Sequence, residues 1–286
     1  MSDRLRVWLL LSPALIIILV LFVGGLLFGF AQSFNYMPII GLTQPNLDAY
    51  RNILSSNEFL GSLLLTFYIA VTSTFISMVL AIVCGLVLRQ TFRGKQLITF
   101  LFQLNLPIPH IVGAIGMLFL FSQSGFLARI AYLVNLIKQP SDFPILVFDP
   151  FAIGIILEYV WKEIPFIGVV VLAILQSIGD DYEALARSLG ANTWQRFRYV
   201  LLPLIMPGVL SVSVIVLAFT FGAFEIPFIL GQTYPAVLPV LAVRSYTNVD
   251  LNARPEAMAM AMVITALSTA LIYIYMELSH RNLRSD

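Results

Sequence analysis

The residues of this sequence whose type and spacing could do chemistry are charged side chains inside long apolar runs. Glu158 and Lys162 lie four residues apart, so on a helix they would share one face and could neutralise each other. Glu225 lies among phenylalanines, without a basic residue within one helical turn. Ionisable residues inside a membrane usually face a bundle interior or a cavity. We therefore expect Glu158 and Glu225 to line a solute path; the structural alternatives are a Glu158–Lys162 pair and a place for Glu225 near the membrane surface.

Prolines accompany a second set of polar residues. Asn105 and His110 flank Pro107 and Pro109, which free backbone carbonyls and favour a break in a membrane helix. A broken helix can line a cavity, or it can be a kink satisfied by its neighbours. We include Asn105 and Trp161 among the candidate path residues, since unpaired acids with aromatic neighbours would suit a cationic solute.

Enzymatic chemistry has little support. Ser124 and His110 could be imagined as a serine–histidine pair, but no third group is placed to orient the histidine. Asp180 and Asp181 resemble half of an acidic metal motif, yet helix capping explains them and no second acidic cluster accompanies them. The single cysteine, Cys84, cannot form an intrachain disulfide. We expect no catalytic residues, no metal and no cofactor bound by this chain.

The composition places the chain in a membrane. Of its 286 residues 59% are hydrophobic and 11% charged, against about 25% charged in soluble domains. So few polar side chains cannot cover a globule in water. The net charge of +1 leaves no basic excess to neutralise phosphates, which excludes nucleic acid as a partner.

Six apolar runs are long enough to cross a bilayer, which takes about 20 residues each. Because unpaired backbone groups are not tolerated in hydrocarbon, we predict an all-α polytopic protein forming one permease domain over residues 1–286. The first run exceeds the 7–15 apolar residues of a signal peptide, so we interpret it as a retained helix. The runs cover residues 8–32, 60–88, 97–121, 151–177, 208–231 and 256–277.

Lys and Arg residues predict the orientation. Ten lie in the two termini and in the loops after the second and fourth spans, against five in the remaining loops. Basic residues accumulate on the cytoplasmic side. We therefore predict a multi-pass protein of a bacterial-type inner membrane with both termini in the cytoplasm.

The cytoplasmic segment 179–207 shows the local chemistry of a helix–turn–helix. Asp180 with Glu183 three residues later has the spacing of a capping box, and Asn192 with Gln195 repeats it. Gly190 is the expected stop of the first helix, since glycine tolerates left-handed dihedrals.

Two prolines follow the second helix of this segment. Pro203 and Pro207 lack amide donors, so we expect them to fix the turn back into the membrane. Trp194 and Phe197 are candidate anchors for a partner, with burial against the chain's own helices as the alternative.

This segment resembles the cytoplasmic signature loop of the permeases of binding-protein-dependent ABC importers, which carry Glu-Ala-Ala, a glycine and Ile-x-Leu-Pro. Leu185 replaces the third residue of the first element, and Val200 replaces the Ile. The residues that carry the resemblance are Glu183, Ala184, Gly190, Leu202 and Pro203. The motif covers about 25 residues, and the six-span layout extends the likeness over the whole chain.

The resemblance implies a coupling element that docks on a cytoplasmic ATPase dimer, with Glu183, Ala184, Gly190 and Ala191 in the contact. It also implies a second permease subunit, related or identical, and an external binding protein that delivers a small solute. The sequence has no phosphate-binding loop, because Gly94-Lys95 lacks the required spacing. ATP and Mg²⁺ are thus expected on the partner ATPase.

The solute is the least determined feature. The region from Gly222 to Gly231 and the general layout look most like the spermidine/putrescine-type permeases, which would imply a polyamine or another cation. Sugar, thiamine and ferric-ion importers share the same loop. A free-standing secondary transporter or channel remains the alternative class, although the inverted repeats typical of such carriers are not visible.

Overall fold

The computed structural model describes residues 3–90, 92–179 and 181–283. Regular structure within these residues is helical, apart from one isolated bridge between Met37 and Leu42, so the prediction of an all-α fold is confirmed. The α-helices are α1 (Asp3–Ile17), α2 (Gly24–Ser33), α3 (Asp48–Ser55), α4 (Asn57–Arg89), α5 (Lys95–Gln103), α6 (His110–Phe121), α7 (Phe126–Leu133), α8 (Ile153–Ile178), α9 (Asp181–Ser188), α10 (Thr193–Arg196), α11 (Leu202–Gly222), α12 (Glu225–Leu230), α13 (Leu238–Tyr246) and α14 (Arg254–Leu283). Shorter turns are the π-helices Ile18–Val23 and Phe197–Leu201 and the 3₁₀-helices Pro38–Ile40, Pro140–Asp142 and Leu251–Ala253.

Five helical stretches in the described residues are long and apolar enough to cross a membrane. The sixth predicted span is α8, whose 26 residues measure about 39 Å and exceed the hydrocarbon core of about 30 Å. It carries three charged residues that lower its apolarity, and its membrane crossing stays a prediction. The five stretches are Arg4–Ser33, Asn57–Arg89, His110–Leu133, Thr193–Gly222 and Leu251–Ile274.

Prolines shift the bounds of two predicted spans. The run 97–121 breaks between Gln103 and His110, because Pro107 and Pro109 cannot donate backbone hydrogen bonds. The apolar crossing therefore begins at His110 and extends to Leu133.

The run 208–231 is divided in the same way. Helix α11 ends at Gly222, and α12 starts at Glu225. Pro227 lies in the first turn of α12, where the missing N–H of a proline costs no helical hydrogen bond. The predicted single span over this run is wrong in its end point.

The chain forms two compact units. One combines the residues up to Ser62 with Leu238–Ala266, and the other combines Leu63–Val237 with the residues from Leu267 onward. The expectation of a single domain over residues 1–286 stays a prediction.

The first unit holds α1 to α3, α13 and the beginning of α14. The Asn52 amide donates to Oε1 of Glu256 at 2.9 Å, which joins α3 to α14. A Cβ atom at Gly29 would lie 3.3 Å from the sulfur of Met258, so α2 packs closely on α14. The span Arg4–Ser33 has almost no buried residues, as expected for a helix surrounded by lipid.

The second unit has its core between α4, α8 and α11. Ala81, Ile167 and Ile205, one from each helix, are wholly buried in one apolar cluster. A Cβ atom at Gly85 would lie 2.6 Å from the side chain of Val171, so α4 and α8 approach as closely as a glycine permits. This packing positions the polar residues described next.

Candidate functional site

The segment 179–207 contains the predicted helix–turn–helix, formed by α9 and α10. Helix α9 ends in two bonds, from the Gly190 amide to the Arg187 carbonyl and from the Ala191 amide to the Ala186 carbonyl, both 3.0 Å. Gly190 has a φ of +86°, so this is the Schellman stop that favours glycine, as predicted. Asp180 lies outside the described residues, and its capping role stays a prediction.

The second capping box is also present. The Gln195 amide donates to Oδ1 of Asn192 and the Asn192 amide donates to Oε1 of Gln195, each at 2.9 Å. These bonds start α10, on which the ring of Trp194 lies 5.6 Å from that of Phe197.

Pro203 and Pro207 do not turn the chain, and that expectation is wrong. The helix is continuous from Thr193 to Gly222, and a π-helical turn at Phe197–Leu201 directly precedes Leu202 and Pro203. A proline cannot donate to the carbonyl four residues earlier, and a widened turn accommodates the missing bond without ending the helix.

The surface of this segment is unusually apolar for an exposed loop. Leu189 is 81% exposed and Trp194 is 66% exposed, with Leu185 and Ala184 also exposed on α9. Burial of Trp194 against the chain's own helices is therefore ruled out, whereas Phe197 is half-buried. Contiguous exposed apolar residues indicate a surface that binds another protein.

Glu183 is bound within the chain. Its Oε1 lies 3.5 Å from Nη1 of Arg89, at the end of α4, and Nη2 of Arg89 donates to the Gly179 carbonyl at 2.8 Å. The resemblance implied that Glu183 lies in the contact with the ATPase, and the ion pair with Arg89 within the chain was not predicted. A cavity of about 890 Å³ opens beside this pair, with Trp194 and Arg196 in its wall.

On helix α8, Lys162 does not form an ion pair with Glu158. Its Nζ donates to the carbonyls of Asn105 at 2.8 Å and Ile108 at 2.6 Å. The Asn105 carbonyl accepts from the Ile108 amide at 3.1 Å, and it has room for the lysine as a second donor because the residue four positions later is Pro109, which has no N–H. The kink between α5 and α6 is thus satisfied by a lysine from α8.

Asn105 and Trp161, which we expected to line the solute path, take part in the same contact between α8 and the break that separates α5 from α6. The Asn105 side-chain amide donates to the backbone carbonyl of Trp161. Helix α8 and the break between α5 and α6 therefore each donate a hydrogen bond to the other. The Trp161 side chain is 37% exposed, while Asn105 is buried.

Glu158 lies in a helix interface. It is wholly buried, and a Cβ atom at Gly113 on α6 would collide with its Oε1. Neither carboxylate oxygen has a hydrogen-bond partner among the described residues. Glu158 therefore packs between α6 and α8, and the Glu158–Lys162 pair is not formed.

Glu163, unlike Glu158, has hydrogen-bond partners on neighbouring helices. The Ser77 hydroxyl donates to its Oε2 at 2.9 Å, and the Thr220 hydroxyl donates to its Oε1 at 2.7 Å. Glu163 thus joins α4, α8 and α11. Sequence reasoning placed it in the span without a role, because its partners are 86 and 57 residues away.

A cavity of about 460 Å³ lies against this arrangement in the second unit. Lys162 and Glu163 bring an amine and a carboxyl group to its wall, and His110 lies beside Phe219 with ring centres 5.0 Å apart. The lining residues are Leu106, Pro107, Ile108, Pro109, His110, Tyr159, Lys162, Glu163, Phe166, Ile215, Val216 and Phe219.

The four predicted path residues lie outside this lining. Asn105, Glu158 and Trp161 support its wall from behind or beside it. Glu225 is exposed in the first turn of α12, next to the stacked rings of Phe224 and Phe228. Contact of these four residues with a solute stays a prediction.

Comparison with known proteins adds an independent finding. Residues 77–285 match the family described as binding-protein-dependent transport system inner membrane component. The sulfate transport system permease protein CysT of Salmonella typhimurium is 24% identical over 244 residues, 85% of this chain and 84% of CysT. The thiamine transport system permease protein ThiP of Brucella abortus is 30% identical over 222 residues, 76% of this chain but 38% of ThiP.

The fold has a solved counterpart. A bacterial ABC transporter involved in the import of the acidic polysaccharide alginate contains a chain that superposes with a TM-score of 0.81 at 19% identity. The match covers 98% of this chain and 97% of that chain. At this identity the likeness establishes the fold alone.

Proposed function

Since this chain belongs to the binding-protein-dependent transport system inner membrane components, we propose that it forms half of a translocation path for a small solute. The chain is a permease subunit of an ABC importer, and its relatives are named as transport permeases. An external binding protein delivers the solute, and a separate ATPase dimer binds ATP and Mg²⁺.

The observation that carries the coupling role is the exposed apolar surface of α9 and α10. Leu185, Leu189 and Trp194 are all more than 60% exposed, on the side that Lys and Arg residues assign to the cytoplasm. Ala184 leaves room for close approach of another helix, and the αL stop at Gly190 fixes the bend. The ATPase dimer is the partner that such a surface would bind.

A second permease is the partner proposed for the cavity. Phe166, Ile215 and Phe219 line the cavity and are also exposed, so its apolar rim is not closed by this unit alone. A related or identical permease would cover the rim and complete the path. The distribution of Lys and Arg residues supports a location in the inner membrane with both termini in the cytoplasm.

The chemistry of the solute is open to experiment. The sequence favoured a polyamine or another cation, whereas the cavity wall presents Lys162 as well as Glu163. The relatives named above transport sulfate or thiamine, one an anion and the other a cation. Competition between labelled sulfate, thiamine and spermidine for uptake distinguishes these classes.

Affinity purification of the tagged chain in mild detergent, followed by mass spectrometry, tests the proposed assembly. We expect an ATPase and a permease subunit to be recovered together. Leu189→Glu should reduce the recovered ATPase, while the matched change Leu136→Glu, at an exposed position in the loop after α7, should not. Recovery of the chain alone in intact form would favour a free-standing transporter.

A further inference from the structure

Arg89 lies at the joint where α8 ends and α9 begins. Nη2 donates to the carbonyl of Gly179, the C-terminal cap of α8, and Nη1 faces the carboxylate of Glu183 in the first turn of α9. The Arg89 and Glu183 side chains are only 13% and 21% exposed, so salt screens this ion pair weakly. One side chain therefore holds both helices that meet at the joint.

The chemistry of this position requires an arginine. A planar guanidinium presents several N–H donors in a fixed fork, so it can bind a carbonyl and a carboxylate at once. Its positive charge also lies at the C-terminal end of α8, where cations are favoured. The Arg89 carbonyl in turn accepts from Nζ of Lys95 at 3.2 Å, which secures the end of α4.

The joint is continuous with the membrane interior through the packing of α4 on α8. Ser77 binds Glu163, Gly85 leaves space for Val171, and Arg89 binds the end of α8. These three contacts extend over 12 residues of α4, about 18 Å. The two helices run in the same direction and touch along this length, as a rigid pair would.

We propose that Arg89 is a positioning residue for coupling: it fixes the angle of α9 to the α4–α8 pair, so that displacement of α9 moves both helices. This inference rests on the proposed function of α9 as the ATPase contact. Arg89 acts through Glu183 and the Gly179 carbonyl, and it need not touch the ATPase. Glu183 then stays bound to Arg89 while the ATPase moves α9.

The single cysteine of the sequence allows a test that needs no known solute. Cys84 is half-buried on α4, five residues before Arg89. The purified permease is labelled there with an environment-sensitive maleimide and then assembled with the ATPase that co-purifies with it. ATP is added, and both the fluorescence change and the ATP hydrolysis are recorded.

We expect ATP to change the fluorescence of the wild-type complex. In Arg89→Ala the ATPase should bind and hydrolyse ATP, while the ATP-induced fluorescence change falls about tenfold. Arg89→Lys, which keeps the charge but loses the fork, should give an intermediate change. Arg93→Ala, an exposed arginine in the same loop, should match the wild type.

A double variant adds an internal check. If Arg89 and Glu183 act as one unit, Arg89→Ala combined with Glu183→Ala should reduce the fluorescence change no further than Arg89→Ala alone. Additive losses would contradict the proposal, because Glu183 would then act without Arg89.

Three other outcomes would overturn it. They are a full ATP-induced change in Arg89→Ala, loss of ATPase binding in that variant, and a wild-type complex without any fluorescence change. Failure of the proposed function itself would look different, since no ATPase would then be recovered with the wild-type chain.

Discussion

Replacing Lys162 by methionine should open the break between α5 and α6. The change keeps a long unbranched side chain but removes the ammonium that donates to the carbonyls of Asn105 and Ile108. Both carbonyls are left without this donor, inside a segment where water is scarce. We expect the segment 104–109 to lose its fixed conformation while the apolar core stays folded.

The size of the effect follows from these two bonds. Interhelical hydrogen bonds in membranes average about 0.6 kcal/mol, so two ordinary bonds would contribute only about 1 kcal/mol. A bond from a charged donor is stronger, at about 1.5–3 kcal/mol, although the Asn105 carbonyl keeps a second bond, from the Ile108 amide at 3.1 Å. Removal of a buried charge offsets part of the loss of these two bonds. We therefore expect the closed conformation of the segment 104–109 to lose about 3 kcal/mol of stability, so that the segment opens roughly a hundredfold more often.

Hydrogen exchange measured by mass spectrometry in detergent reports this opening directly. The amides of residues 106, 108 and 110–112 should exchange up to about a hundredfold faster in Lys162→Met, provided that opening limits their exchange. Lys138→Met, which changes an exposed lysine in the loop after α7, serves as the matched control. Unchanged exchange at 106–112 in Lys162→Met would refute the role assigned to this lysine.

Two further changes test the coupling segment and the helix packing. Gly190→Pro removes the amide that bonds to the Arg187 carbonyl, and the proline ring cannot adopt the φ of +86°. The amount of ATPase recovered with the permease should therefore fall severalfold, while the detergent-extracted permease keeps its melting temperature. Recovery of a normal amount of ATPase would contradict this. Gly85→Leu should lower stability by about 1–3 kcal/mol in thermal unfolding, because the new side chain meets α8, whereas Gly24→Leu, with open space around it, should change little. Equal effects of the two leucines would show that α4 and α8 are not closely packed.

The parts of the site that depend on neighbours in the sequence could be predicted. The Asn192–Gln195 box and the stop at Gly190 involve residues within five positions of each other, so their spacing alone determines their chemistry. The all-α fold likewise follows from apolar runs that must satisfy their own backbone.

The parts of the site that depend on packing between helices could not be predicted from the sequence. Glu158 and Lys162 have the spacing of an ion pair, but the lysine binds the carbonyls of Asn105 and Ile108 instead, which lie 57 and 54 residues away in the break between α5 and α6. Glu163 gained its partners through the approach of α4 and α11 to α8. The residues next to Glu163 and Glu158 in the sequence do not indicate that Glu163 accepts from two hydroxyls and that Glu158 accepts from none among the described residues.

Pro203 illustrates a different limit. A proline in an apolar helix predicts an interruption, yet a helix can also widen by one residue and continue, as it does at Phe197–Leu201. The choice between these outcomes depends on the packing of Leu201 and Ile205 into the core, which holds the two segments in line.

Solute uptake into vesicles containing the assembled complex tests the central account most directly. Proteoliposomes are loaded with ATP, supplied with the binding protein outside, and offered labelled sulfate, thiamine and spermidine. The account predicts that one of these, or another small solute, accumulates only when ATP and the ATPase are both present. Uptake by the chain alone, driven by an ion gradient without ATP, would contradict it and identify a free-standing transporter.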